Sequence, residues 1–406
     1  MSYKLENFFA EGLPDASGAY NGFPEYNFVG GHNSEINIPI KKLVKSAESV
    51  LLKEGKNLAL YGHNSGPQGN LALREFLVSY LDDYISMKID TSNILLTSGS
   101  LQALDLVNKL LLKKDDTVLV EEATYGGAIS RIESLEVKHI GIKLDDEGIC
   151  PEHLIQTLEM LKAKDISPKY LYTIPTVQNP TATIMPEERR REILEIAKKY
   201  NFLIFEDDCY ADLTWDRKRP KSIYSLCDED RVIYCGSFSK SIAPALRVGY
   251  IIASWKAISK ILAYKNDGGS GAIEQMILAD FCKNNYKKHA DELVIELERK
   301  CDLMMQCLDM EFGSIAEFTK PKGGIFIWIT FPATINTNRL FKVASEKGVA
   351  LNPGSEWVSK SEEGINKIRL CFANPKDEII KDGISHLAQI CYDEFGIPST
   401  GANVKR

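Results

Sequence analysis

Arg231-Val-Ile-Tyr-Cys235, Gly236-Ser-Phe-Ser-Lys240-Ser-Ile-Ala-Pro-Ala-Leu-Arg247 and Val248-Gly-Tyr-Ile-Ile-Ala253 follow one another without a gap. Two apolar, β-branched runs enclose a serine-rich turn that carries one lysine and one arginine. Runs that are apolar on both faces suit a parallel sheet covered by helices. The pattern recurs upstream in Asn93-Ile-Leu-Leu-Thr97, Thr117-Val-Leu-Val120, Tyr170-Leu-Tyr-Thr-Ile174 and Phe202-Leu-Ile-Phe205. Helical periods lie between: Leu101 to Leu112, with apolar residues three and four apart, and Pro186 to Tyr200, with an acidic first turn. The alternation predicts a large α/β domain over residues 61–264, built on a doubly wound, mainly parallel sheet.

Downstream the character changes. An amphipathic stretch from Gly271 to Phe312 reads as a connecting helix broken at Asn284-Asn285. Fewer, more separated strands follow at Gly324–Thr330, Ala350-Leu351 and Lys367–Phe372, so residues 265–406 are expected to hold that helix and a smaller α+β domain. Residues 1–60 show Gly, Pro and Asn clusters with little periodicity. They are expected to form an arm that lies on the small domain or on a partner subunit.

Composition narrows the classes. With 406 residues, 44% of them hydrophobic, the chain can bury a core that needs neither disulfides nor metal. The net charge is −7 with both signs interspersed, and the lack of a basic stripe argues against nucleic acid. Met1–Gly18 does not have the form of a secretory signal. No run reaches the ~18 uninterrupted apolar residues that span a bilayer, so no membrane association is expected. Nine scattered cysteines without a C-x-x-C pair read as reduced thiols of a cytoplasmic protein. Six histidines without ligand spacing argue against a metal site.

In open α/β sheets, ligands sit outside the carboxyl ends of the strands. Thr97-Ser98-Gly99-Ser100 ends a strand and opens a helix, where backbone N–H groups and the Ser100 hydroxyl would face an anion. Taken alone, the stretch reads as a common glycine turn capped by a serine. Asp207 leaves a wholly apolar strand, and a partly buried carboxylate there needs a partner. That partner is either a protonated pyridine nitrogen or the N–H groups of the next segment. Lys240 lies in the serine-rich turn, where burial and Arg247 would lower its pKa and favour a Schiff base. An exposed loop lysine is the commonest alternative. Ser237-x-x-Lys240 also fits a serine acyl-enzyme, but the Ser-Asp-Asn and Lys-Thr-Gly partners of that motif are absent from the sequence.

Taken in order, Ser98-Gly-Ser, Tyr125, Gln178-Asn179-Pro180-Thr181, Glu206-Asp-Asp-Cys-Tyr210, Ser237-Phe-Ser-Lys240 and Arg247 resemble the class I/II aminotransferases. These are fold type I pyridoxal-phosphate enzymes, and the nearest likeness is to the aminoadipate/kynurenine branch. The likeness runs from Gly30-Gly31 to Arg369, and its specificity comes from the ordered set rather than from any one motif. It implies that Lys240 carries pyridoxal 5′-phosphate as an internal aldimine and shuttles the proton. Asp207 would pair with the pyridine nitrogen, Asn179 and Tyr210 with the phenolic oxygen, and Tyr125 would stack on the ring. Gly99, Ser100, the Leu101 backbone, Ser237, Ser239 and Arg247 would hold the phosphate. Arg369 would fork onto the substrate α-carboxylate, with Asn179 and Gly31 beside it. Tyr61 resembles the tyrosine that reaches a neighbouring subunit's phosphate, which implies a homodimer with shared sites.

Some residues depart from the family pattern. Leu101 replaces a polar residue, though its N–H is retained, and Cys209 stands where a proline is common. About three extra residues, including His63 and Asn64, follow Tyr61 and suggest a remodelled entrance. His32 is either a substrate contact or a surface loop histidine. The expected reaction is transamination between an L-amino acid and a 2-oxo acid. Elimination, decarboxylation and other Cα or Cβ chemistry are possible on the same scaffold. A ligand-sensing domain of a transcription regulator is the contrasting class. The absence of a basic helical module ahead of the arm argues against it.

Overall fold

The computed structural model describes residues 4–10, 13, 16–19 and 22–397. Its centre is a seven-stranded sheet in the order Ile94–Thr97, Gly249–Ile252, Val232–Ser237, Leu203–Asp207, Tyr170–Thr173, Thr117–Glu121, Lys138–Ile142. Six of the seven strands point the same way, and Gly249–Ile252 is antiparallel to both of its neighbours. Side chains alternate between the faces, and both faces are buried. Leu95, Val118, Val120, Tyr172, Phe205 and Cys235 pack with Ala103, Leu104 and Val107 of the helix Gly99–Leu111. The intervening Leu119, Leu171 and Ile204 pack with Leu154, Leu158 and Ile193. Leu96, Tyr234 and Ile252 meet Leu73, Leu77 and Phe281. This two-sided burial is what a continuous apolar run encodes. Cutting one such leucine to alanine costs about 2–5 kcal/mol.

A three-stranded antiparallel sheet, ordered Phe326–Thr330, Lys367–Cys371, Asn352–Pro353, forms the second sheet system. The early strand Tyr26–Asn27 pairs in parallel with Val349–Ala350, so this part of the arm lies on the C-terminal third of its own chain.

The long helix Ala272–Phe312 is unbroken through Asn284-Asn285, contrary to the sequence expectation. Asparagine costs a helix interior only about 0.7 kcal/mol relative to alanine. Buried Phe281, Cys282, Tyr286 and Ala290 flank the pair and outweigh that penalty. Among the described residues, no helix is long and apolar enough to cross a membrane.

Candidate active site

Three sheet strands deliver the expected residues to one place. Thr97 ends its strand, and the next helix begins at Gly99 with φ +77°. A Cβ on Gly99 would sit 2.2 Å from Arg247 Nη2, so only glycine lets that guanidinium lie on the first turn. Arg247 also donates to the Ser98 carbonyl at 3.2 Å. A Cβ on Gly249 would meet the Gly99 carbonyl carbon at 2.7 Å and Ser100 N at 2.8 Å, so this glycine seats the turn against its strand. Ser98 occupies the N-cap without a side-chain capping bond, and Ser100 and Leu101 follow in the first turn, both half-buried. Ser237 ends the neighbouring strand, and its hydroxyl accepts from Ser239 N–H at 3.1 Å. Helix-terminal N–H groups, a guanidinium and buried hydroxyls make an anion cradle.

Lys240 is half-buried. Its Nζ donates to the Gly31 carbonyl at 2.6 Å and lies 5.9 Å from the centroid of the Tyr210 ring. The Asn33 side chain donates to the Lys240 carbonyl, so the early Gly31–Asn33 segment closes over the lysine from far away in sequence. Burial lowers the Lys240 pKa, and Arg369 adds to the effect. The assisting cation is therefore Arg369, which comes in from the three-stranded sheet. The sequence neighbour Arg247 points instead to Gly99.

Asp207 ends the strand Leu203–Asp207 and is buried. Its Oδ2 accepts from Tyr172 OH at 2.7 Å, while Oδ1 has no partner. Burial raises its pKa, against the opposing pull of hydrogen bonds from Cys209 and Tyr172. Cys209 and Cys235 lie beside it, the three ligand atoms within 4.8 Å of one another. That is one ligand fewer than a closed structural zinc site uses.

Arg369, on the strand Lys367–Cys371, is buried and fully oriented. Nη1 donates to Asn179 Oδ1 at 3.0 Å, and Nη2 donates to Val29 O at 3.1 Å and Asn352 Oδ1 at 2.9 Å. Its guanidinium lies 3.7 Å from the centre of the Trp357 indole. Asn179 Nδ2 in turn reaches Tyr210 OH at 3.4 Å. Tyr125 caps the helix Gly126–Glu133, with its ring on Gly127 and 5.9 Å from Trp357.

The geometry thus unites Gly31, Lys240, Asp207, Asn179, Tyr210 and Arg369, with the Gly99–Leu101 turn, Ser237, Ser239 and Arg247 forming the adjoining cradle and Tyr125 approaching through Trp357. Tyr61 stands apart: it is 95% exposed and lies near Gly268. The His32 ring folds onto Gly30. The side chains of His63 and Asn64 lie outside the described residues.

Four contributors escaped the sequence reading: Asn33, Tyr172, Trp357 and Glu121. Tyr172 carried a signal, as a polar tip inside an otherwise apolar strand. Glu121 is wholly buried and accepts from Thr173, Ile174 N–H and Gln178, fixing the loop that bears Asn179. Burial pushes its carboxyl up to about 7.

The residues fit pyridoxal phosphate on structural grounds. A buried carboxylate oxygen without a partner is costly, and a cationic ring N–H is a donor that would satisfy it. The cradle at Gly99 and Arg247 matches a phosphate.

Residues 27–387 match the family described as aminotransferase class I and II. The aromatic-amino-acid aminotransferase 1 of Thermococcus litoralis is 32% identical, over 91% of this chain and 88% of that protein. The HTH-type transcriptional regulator YdfD of Bacillus subtilis is 32% identical over 84% of this chain, which corresponds to 69% of the regulator. The crystal structure of Pyrococcus horikoshii kynurenine aminotransferase, in complex with PMP, superposes with a TM-score of 0.88 at 31% identity. That match covers 96% of this chain and 98% of the other.

Proposed function

Since this chain belongs to the class I and II aminotransferases, and is thereby an aminotransferase of fold type I, we propose that Lys240, Asp207 and Arg369 form its active site, moving an amino group between an L-amino acid and a 2-oxo acid. The observation that carries this reading is the unpartnered Asp207 Oδ1, buried in the same site as a lysine of lowered pKa. Pyridoxal 5′-phosphate, when bound, supplies an aldehyde that joins amines and a ring that draws electrons from the bonds to the substrate Cα.

The chain's own residues do the rest. Asp207, as a carboxylate, would hold the ring nitrogen in its cationic form. Asn179 and Tyr210 would take the phenolic oxygen, and Tyr125 would cover the ring. Gly99, Ser100, the Leu101 N–H, Ser237, Ser239 and Arg247 would fix the phosphate. Arg369 holds the substrate carboxylate, which sets the bond to be broken relative to the ring. Lys240 Nζ, whose pKa burial lowers, takes the proton from the substrate Cα. Gly31 O, which accepts from Nζ, keeps the amine in place.

The second part of the proposal is a homodimer. Ile36, Ile40, Val44, Leu52, Leu60 and Tyr61 are all more than half exposed within one short stretch. Apolar surface concentrated in this way is what a subunit interface covers. It would carry Tyr61 toward the partner's phosphate cradle.

The deciding experiment follows the cofactor absorbance of the purified protein while L-amino acids are added one at a time, with identification of the 2-oxo acid formed. Borohydride treatment followed by peptide mapping should place the label on Lys240. A label elsewhere, or a spectrum that no amino acid alters, overturns the reading.

A further inference from the structure

We propose that the indole N–H of Trp357 is a second donor to the substrate α-carboxylate, acting beside Arg369. The inference rests on the reading that Arg369 takes that carboxylate.

Trp357 follows the short turn Gly354–Glu356. Its backbone N–H donates to Gly354 O at 3.0 Å, and its carbonyl accepts from Thr124 N–H at 2.9 Å. The residue is thus tied to the segment that leads into Tyr125. The side chain is 7% exposed, and its Nε1 has no hydrogen-bond partner. The Arg369 guanidinium lies 3.7 Å from the centre of the indole, so the two planar groups form one stack. Both Nη atoms of Arg369 are engaged by Asn179, Val29 and Asn352, whereas its Nε also has no partner.

Two buried donors without acceptors therefore lie within one stacked pair. Native proteins rarely leave such groups unpaired unless a ligand satisfies them. A carboxylate presents two oxygens from a single carbon, one for each donor, and its charge strengthens both bonds. A single hydroxyl would satisfy only one of them. The indole also lines a cavity of about 450 Å³ with Tyr125, Ser355 and Glu356.

Trp357→Phe keeps an aromatic face on Arg369 and removes the N–H. Steady-state kinetics on the holoenzyme, with several amino donors, would give KM and kcat separately. Calorimetry with 3-phenylpropanoate, a carboxylate without an amine, gives a binding constant independent of turnover. The loss of a charged hydrogen bond should raise KM for every donor, and the Kd of 3-phenylpropanoate, roughly ten-fold or more, with a smaller change in kcat. Trp357→His, which returns a ring N–H, should recover part of that loss. A thermal midpoint close to the parent's shows that the variants fold.

Unchanged KM and Kd in Trp357→Phe would overturn the inference. So would a KM increase confined to donors with polar side chains at constant Kd for 3-phenylpropanoate, since the N–H would then read the side chain. Arg369→Met separates the two levels. If it leaves 3-phenylpropanoate binding unaltered, the carboxylate reading of Arg369 has failed. If it weakens binding while Trp357→Phe does not, only the role of Trp357 falls.

Discussion

The Tyr172 hydroxyl donates to Oδ2 of Asp207 at 2.7 Å, and the other oxygen of that buried carboxylate has no partner. The tyrosine thus satisfies one half of the acid and orients the other half. Burial raises the Asp207 pKa above its ordinary 3.8, and the Tyr172 bond opposes the rise because it favours the charged form. A raised pKa means that the carboxylate, which the ring nitrogen requires, appears only as pH climbs through that higher value. Cofactor affinity should therefore fall on the acid side. Tyr172→Phe should move this limb to higher pH and weaken binding roughly ten-fold at neutral pH. Asp207→Ala should lower kcat/KM by a hundred-fold or more, of the order seen when one preorganised electrostatic partner is lost. Absorbance titration of apoprotein with pyridoxal phosphate across pH checks the first two expectations. An unshifted limb in Tyr172→Phe would count against this role.

Lys240 titrates in the opposite sense. Burial first, and then Arg369, lower its pKa from 10.5, so the neutral amine appears at a lower pH than in a free lysine. Covalent attachment of the cofactor to apoprotein should be half-maximal below pH 10.5. Arg369→Met should shift that midpoint upward by only part of the total displacement, because burial is the larger cause. Lys240→Ala should leave nothing for borohydride to fix. The rate of attachment measured across pH tests both claims, and a midpoint that ignores Arg369 refutes the charge contribution.

Much of this arrangement was legible in the sequence because it is local. The apolar runs that end at Thr97, Asp207 and Ser237 mark strand ends, and the proposed site residues lie within a few positions of them. Residues brought in from elsewhere were less readable. Asn33 holds Lys240 across more than two hundred positions, and Asn352 and Trp357 reach Arg369 only because the three-stranded sheet and its following turn fold back on the site. Asn284-Asn285 misled for the converse reason: local propensity is weak, and the buried side chains on both sides of the pair decided the helix.

Arg369 should act as one unit with its acceptors. Asn179, Asn352 and the Val29 carbonyl fix the guanidinium before substrate arrives, so little ordering is left for the binding step. Arg369→Lys, which cannot reproduce the planar fork, should raise KM roughly a hundred-fold, and Asn352→Ala about ten-fold. Because the two residues touch, the double variant should lose less than the sum of the single free-energy changes. Additive losses in steady-state kinetics would show that Asn352 does not position Arg369.

The proposed interface can be tested away from the chemistry. Leu52 is 83% exposed and Val44 60% exposed on the helix Ile40–Glu54. Replacing either with glutamate places a charge where a covered apolar surface is expected. Light scattering should find a dimer for the parent chain and monomer for Leu52→Glu with Val44→Glu. The monomer should also bind cofactor less tightly, since the partner's Tyr61 is withdrawn from the cradle. A parent chain that is monomeric at micromolar concentration rules the interface out.

Beneath the lysine, Asp212 collects three donors: Tyr80 OH and Tyr286 OH, each at 2.7 Å, and Arg219 Nη1 at 2.6 Å. The Tyr286 oxygen is also 3.0 Å from Ser241 Oγ, and His289 Nε2 is 2.9 Å from the Ser241 carbonyl. The long helix thereby grips the residue next to Lys240. Burial alone would raise the Asp212 pKa, but the Arg219 charge and the three hydrogen bonds outweigh it and hold the carboxyl below its ordinary 3.8. Its contribution to stability is thus fully present above pH 3.8 and is lost as pH falls through the lower folded value. Asp212→Ala leaves the buried Arg219 guanidinium only Asp208 as an ion-pair partner, beside the Tyr234 hydroxyl, and should cost about 3–5 kcal/mol at neutral pH. Tyr286→Phe should cost about 1–3 kcal/mol by leaving Ser241 and Asp212 each one partner short. In thermal scans the deficit of Asp212→Ala should shrink steadily as the solution is acidified below pH 3.8. A deficit that stays constant with pH would mean that packing, and not the ionised carboxylate, holds this region together.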